Sequence, residues 1–192
     1  ISVETSYSDG ENASYRLMSN GFEGESKSTW YSVSASVAIK GEGEARPSDY
    51  WYGSSLFYDK LPKTDIGSVA LERVLRKLGQ KKAKSGKYTM VVDPINSGRM
   101  LSPVLSALYG SSLQQKNSFL IDKLDQKVFS DKLTVMDDPH VIGANGSRYF
   151  DNEGVATEHR PIFENGVLKT YFFDTYNAKK MGVAPTISGP SR

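Results

Sequence analysis

Between Tyr31 and Ile39 the chain reads YSVSASVAI. Tyr31, Val33, Ala35, Val37 and Ile39 alternate with Ser32, Ser34 and Ser36. A period of two over nine residues is incompatible with a helical stripe, which repeats every ~3.6 residues, and it demands a strand with one buried and one wet face. The residues before it follow the same rule. Ile1, Val3, Thr5 and Tyr7 alternate with polar neighbours, DGEN reads as a turn, and Tyr15 and Leu17 resume the alternation before NGFEGE leads into the long strand. GEGEARPSDYWYG ends this pattern with Gly and Pro, and the aromatic cluster that follows (Tyr50, Trp51, Tyr52, Phe57, Tyr58) reads as sheet packing.

At Thr64 the period changes. Thr64 or Asp65 is placed to cap a helix in which Ile66, Ala70, Val74 and Leu78 form one row and Leu71 and Leu75 another, with Gly79 as the stop. A division is therefore expected between an antiparallel β-rich segment over residues 1–62 and an α+β segment over 63–192. The run KKAKSGK, with four lysines, reads as a solvated loop, because no arginine or aromatic cluster accompanies it. KYTMVVDP reads as a short apolar strand ended by Asp93 and Pro94.

The next segment, MLSPVLSALYG, has the marks of a helix start, with Ser102 as N-cap and Pro103 at the first helical position. Leu101, Val104, Leu105 and Leu108 then recur at helical spacing. Its glycine pattern is neither a P-loop nor a dinucleotide fingerprint, and it carries no side chain able to transfer a proton. SFLIDKLDQ predicts one or two helical turns, and KLTVMDDPH a strand running into a charged loop. Asn165-Gly166, between RPIFE and VLKTYFF, predicts a two-residue hairpin with positive φ at both turn positions. TYNAKKM is a short helix stopped by Gly182. Strands and helices mix without strict βαβ alternation, so the expected fold class is α+β, with an antiparallel β-rich first part followed by mixed strands and helices.

Composition narrows the chemistry. With 24 basic and 22 acidic residues in a chain of 192, the net charge of +2 supplies no strong field for nucleic acid or an anionic membrane. Zero cysteines exclude disulfides, thiolate metal ligands and a thiol nucleophile within these residues and suit a reducing compartment. The apolar runs fall far short of the ~20 residues of a membrane helix. Opening at Ile1 without a Met or an apolar leader, the sequence reads as an internal piece of a longer protein. His140, in DDPH beside Asp137 and Asp138, superficially offers metal donors, but a proline separates the carboxylates from the imidazole. His159 has no nucleophile assignable to it. Asp151 and Glu153 in FDNEG have the spacing of a turn rather than of an acid–base pair.

Taken in order, SNGFEGE, SGKYTMVVDP, SFLIDKLDQKV, LTVMDDP and FDNEGVATEHRPIFENGVLKTYFFDTYNAKKMG resemble the TldD/PmbA family over more than a hundred residues. These are cytoplasmic peptide-maturation metalloproteases that also carry the name modulator of DNA gyrase. The resemblance implies a central excerpt of a longer chain. In the TldD branch a His-Glu pair, followed three residues later by a second His, binds zinc on the helix corresponding to MLSPVLSALYG. Alignment on Gly110 puts those positions on Leu101, Ser102 and Ser106. None of the three is a usual zinc donor or a general base. The departure resembles the PmbA branch, also called TldE. It implies no catalytic residue, cofactor or metal in this chain, zinc in a TldD-like partner subunit or else self-association, and an extended peptide as substrate. Two other readings compete: a nucleic-acid or gyrase-binding module, against which the near-neutral charge counts, and an autonomous hydrolase built on His140, His159 and the nearby acids.

Overall fold

The computed structural model describes residues 1–191. The fold is α+β, as the mixed patterning predicts, and the chain divides into two compact units, Ile1–Tyr88 and Thr89–Arg192. The division falls later than the expected boundary at 62/63. The reason is the helix that follows Asp65, which buries its apolar row on the first sheet and so belongs to the first unit.

In the first unit, β1 (Ser2–Leu17), β2 (Glu23–Ala38) and β3 (Ser48–Ser55) form an antiparallel sheet in the order β1-β2-β3. The turn expected at DGEN is absent. β1 runs straight through it in register with β2, and the reversal lies at Met18–Phe22, where Gly21 has φ +89° and Asn20 Oδ1 accepts the Phe22 N–H. Gly10 is in the strand for a steric reason: it opposes Trp30, and a Cβ there would stand 2.7 Å from the indole Nε1.

The alternation of β2 is realised over its last residues, while Tyr31 to Ser34 are all half-buried. Ala35, Val37 and Ile39 are buried, while Ser36 is exposed. Helix α1 (Ile66–Leu75) lays Ile66, Ala70 and Val74 against that face, and Leu71, Leu75 and Leu78 stay exposed. Two cations one helical turn apart on the same helix region, Arg73 and Lys77, meet the Asp49 carboxylate of β3 at 3.5 and 3.2 Å. Burial works to raise the Asp49 carboxyl, but the Tyr50 N–H and the two cations outweigh it and hold it below the ordinary value.

KYTMVVDP, which crosses from the first unit into the second, does not form a strand. Tyr88, Met90 and Val91 are exposed, and among the described residues no neighbouring strand pairs with this stretch. Asp93 and Pro94 instead open α2 (Pro94–Ser106), with Asp93 Oδ1 accepting the Ile95 N–H at 3.1 Å and Pro94 in the first turn. Ser102 is therefore not a cap, and Pro103 lies inside the helix, its carbonyl accepting the Ala107 N–H. A short helix α3 (Gly110–Gln114) follows. SFLIDKLDQ folds as turns rather than helix, because Asp122 and Asp125 take left-handed φ of 58° and 57°.

Strands β4 (Val135–Asp137), β5 (Arg160–Glu164) and β6 (Val167–Leu168) make the second antiparallel sheet. α4 (Thr175–Met181) is capped by Asp174 and stopped at Gly182, φ 67°. The core gathers Leu108, Leu120, Ile162, Phe163, Leu168, Phe172 and Ile187. Among the described residues no helix is long and apolar enough to cross a membrane.

The β5–β6 turn is of the expected kind, with φ 48° at Asn165 and 79° at Gly166. Gly166 is further confined from outside, since a Cβ would stand 2.3 Å from the Phe129 carbonyl oxygen and 2.6 Å from that of Ser130. Gly166→Val should therefore cost more than the roughly 1–3 kcal/mol of backbone strain alone, on the order of 4 kcal/mol. Asn165→Gly, which keeps the turn and adds no atoms, should change thermal stability little. Equal melting temperatures for Gly166→Val and the parent chain would refute this account of the turn.

Candidate functional site

Helix α2 is anchored at its C-terminal end. Val104 and Leu105 pack on the core around Ala107 and Leu108. The Ser118 hydroxyl donates to the Ala107 carbonyl at 2.6 Å and the Ser112 hydroxyl to the Ser106 carbonyl at 2.9 Å. The helix end is then tied to the strand-like run after β6, with the Gly110 N–H donating to Phe172 O at 2.7 Å and the Phe172 N–H to Leu108 O at 3.0 Å. On this rigid support Ser102 and Ser106, four residues apart, are both exposed, and Leu101 is half-buried. What they present is two hydroxyls and an isobutyl group. Zinc in proteins takes imidazole, carboxylate or thiolate donors, so the residues at these positions do not fit the metal.

The other candidates of the sequence are dispersed into structural duties. Asp151 is buried and makes the predicted turn, its Oδ1 accepting the N–H groups of Glu153 and Val155 at 2.8 and 3.0 Å. Its Oδ2 accepts the Ser188 N–H at 2.8 Å. Burial works to raise this carboxyl, but the N–H donors of Ser188, Glu153 and Val155 prevail and hold it below the ordinary carboxylate value. Asp137, also buried, accepts the Ser191 N–H at 2.8 Å. Together with Arg148, which donates to Gly189 O at 2.8 Å and to the Ser191 hydroxyl at 3.1 Å, the two aspartates latch the segment after α4.

Glu153 takes the N–H and hydroxyl of Thr175. His140 lies 3.2 Å from the Thr157 hydroxyl and beside the Tyr149 ring, and His159 is exposed. Among the described residues no group of three or more His, Cys, Asp or Glu side chains is arranged to hold a metal. DDPH thus serves the latch and the loop.

The second unit also contains a cavity of about 460 Å3. One wall is the face of the β5–β6 hairpin. The Lys169 N–H donates to Ile162 O at 2.9 Å, which continues the antiparallel register beyond β6. The period of two then turns Glu158 and Arg160 on one side, and Lys169, Tyr171 and Phe173 on the other, toward the same space. Leu113 of α3, the turn residues Ile121 and Leu124, and Met181 of α4 complete it.

Arg160 Nη2 meets the Glu158 carboxylate at 3.2 Å, and its buried Nε has no hydrogen-bond partner among the described residues. Lys169 Nζ meets Asp125 at 2.8 Å, a hydrogen bond that raises the ammonium above its ordinary value. Sequence reasoning missed this cavity. The alternation E-H-R-P-I and K-T-Y-F-F was its only signal.

A two-unit α+β chain, with a long antiparallel sheet in the first unit and a hairpin-centred second unit, is the architecture on which the comparisons agree. Residues 1–78 match the PmbA/TldA metallopeptidase central domain and residues 85–191 its C-terminal domain. The chain belongs to the PmbA/TldD metallopeptidase family. A Haemophilus influenzae metalloprotease PmbA homologue is 35% identical over 83% of this chain and 35% of its own length, and the Escherichia coli O157:H7 metalloprotease PmbA is 29% identical over 83% and 35%. This chain thus spans about a third of those relatives.

Among solved structures, a Bacteroides thetaiotaomicron protein that carries the modulator-of-DNA-gyrase name superposes with a TM-score of 0.97 at 70% identity, over 100% of this chain and 44% of that one. TldE from Thermococcus kodakarensis shares the fold, with a TM-score of 0.72 at 20% identity over 95% and 41%.

The latch is open to a pH test. The Asp151 carboxyl lies below its unfolded value, so its contribution to stability is complete above the ordinary Asp value of 3.8 and is lost as pH falls through the lower folded value. Asp151→Asn should lose about 1–3 kcal/mol at neutral pH, and the gap to the parent chain should narrow as the medium is acidified below 3.8. A gap that stays constant across that window, in chemical denaturation, would mean that Asp151 does not carry the latch through its charge.

Proposed function

We propose that this chain works in the proteolysis or maturation of extended peptides as a PmbA/TldE-like subunit that brings no zinc ligands of its own, and that a TldD-like partner supplies the metal. The observation that carries this reading is the chemistry of α2. Its counterparts of the zinc positions are Leu101, Ser102 and Ser106, held on a well-anchored helix with only hydroxyls facing solvent. Membership of a metallopeptidase family supplies the context, and the latch commits Asp137 and Asp151 to backbone donors, while His140 faces Thr157 and Tyr149 and His159 stands exposed. The near-balance of 24 basic and 22 acidic residues gives no support to a phosphate-binding role.

The test mixes the full-length protein with a zinc-bearing TldD-like subunit and follows cleavage of an extended peptide beside size-exclusion chromatography and elemental analysis. Alone, the protein should retain well under one equivalent of zinc after dialysis. Ser102→Ala and Ser106→Ala should leave cleavage by the mixture within about twofold, the range expected of exposed hydroxyls with no catalytic task. Leu105→Asp should lower it markedly through impaired folding or assembly, since it places an unpaired carboxylate on the partly buried face of α2 that packs on the core. Loss of cleavage in Ser106→Ala with normal assembly, or stoichiometric zinc lost on changing His140, would overturn the proposal.

A further inference from the structure

The cavity beside the β5–β6 hairpin has a distribution of chemistry that identifies a ligand class. Its floor is apolar, with Leu113, Ile121, Leu124 and Phe173, and its volume of about 460 Å3 is that of a small-ligand pocket rather than a packing void. Two cations, Arg160 and Lys169, stand on the hairpin face that borders it.

Each cation is held only loosely. The partner of Arg160 is Glu158 and that of Lys169 is Asp125, and the side chains of those acids are 72% and 69% exposed. Water competes for both exposed carboxylates and so weakens the two pairs, although the Arg160 side chain itself is only 12% exposed. The Arg160 guanidinium is also under-committed: Nη2 has the Glu158 carboxylate, while the buried Nε donates to nothing among the described residues. A guanidinium binds a carboxylate best through two parallel N–H donors. A carboxylate entering from the cavity would compete with the exposed Glu158 for the Arg160 guanidinium, with Lys169 as a second cation on the same wall.

We infer that this cavity receives the C-terminal end of a peptide, with the last apolar side chain on the floor formed by Leu113, Ile121, Leu124 and Phe173 and the terminal carboxylate on Arg160 and Lys169. The inference rests on the reading of the chain as a peptide-handling subunit and deepens it by naming a recognition element: a free C-terminus beside a large apolar side chain. It assigns a binding role, and the cavity residues are positioning residues rather than catalytic ones.

The test needs neither zinc nor cleavage, so its failure is distinguishable from failure of the proposed function. The full chain is titrated by calorimetry with the tripeptide Ala-Ala-Phe as the free acid and, separately, as its C-terminal amide. The free acid should bind at least about tenfold more tightly, the factor expected of a hydrogen-bonded charge pair. Arg160→Gln and Lys169→Gln should each erase most of that preference, while Met181→Trp, which adds bulk at the exposed rim of the cavity, should weaken acid and amide alike. Lys169→Gln and Met181→Trp alter partly or largely exposed side chains, so they keep the test decisive if Arg160→Gln fails to fold. Equal binding of acid and amide, no binding of either by a chain with a normal melting transition, or unchanged preference in Lys169→Gln would overturn the inference.

Discussion

Everything that gives the second unit its form depends on how closely other backbone approaches Gly166. Its N–H donates to Leu133 O at 2.9 Å, and its carbonyl accepts the N–H groups of Val128 and Phe129 at 2.9 and 3.1 Å. The stretch from Val128 to Leu133 and the hairpin, distant in sequence, thus meet at one residue, and they meet so tightly that no Cβ fits. The left-handed turn at Asn165-Gly166 sets the register of β5 and β6. That register sends Ile162 and Phe163 with Leu168 into the core and continues through Lys169, so that Arg160, Lys169, Tyr171 and Phe173 share a cavity wall. A slip of one residue would exchange the two faces, burying charges and exposing the core.

In the same unit, helix α2 is held by contacts that do not involve the side chains of Leu101, Ser102 or Ser106. α2 is fixed by packing of Val104 and Leu105 and by hydrogen bonds from Ser112, Ser118 and Gly110, all of which involve its end or the residues just beyond it. None of these contacts requires a ligand at positions 101, 102 or 106. The scaffold is therefore independent of the chemistry it presents, and a hydroxyl can stand there without loss of the helix. The buried acids follow a similar logic. Asp137 and Asp151 hold backbone N–H groups of the segment after α4, and a carboxylate committed to structural donors is poorly placed to be a general base.

Legibility in the sequence followed the range of the interaction. The β2 alternation over its last residues, the Asn165-Gly166 turn and the Gly182 stop are encoded by neighbours and appear as read, and the α1 row is realised through Ile66, Ala70 and Val74 but not Leu78, which lies beyond the helix and is exposed. Asp-Gly at positions 9–10 has the local signature of a turn, yet the pairing of β1 with β2 along its whole length overrides it, and the glycine is used to admit Trp30. Ser102-Pro103 imitates a helix start, but Asp93-Pro94 supplies the same signal nine residues upstream (102 against 93) with a side chain that does cap. KYTMVV has strand composition and no partner strand among the described residues, so composition alone did not make it a strand.

The sequence by itself determined the fold class, the family and the residue types at positions 101, 102 and 106, because the first and last are carried by local periodicity and residue identity and the family by the order of short stretches along the chain. Only the tertiary structure decided that Asp137, Asp151 and Arg148 form a latch for residues 188–191, that the first unit extends through α1, and that Arg160 and Lys169 border one apolar cavity. The physical reason is the same in each case. These roles arise from hydrogen bonds, ion pairs and packing between residues far apart in the chain, such as the 54-residue separation of Asp137 and Ser191, and a one-dimensional pattern does not specify which distant donor an isolated carboxylate will meet.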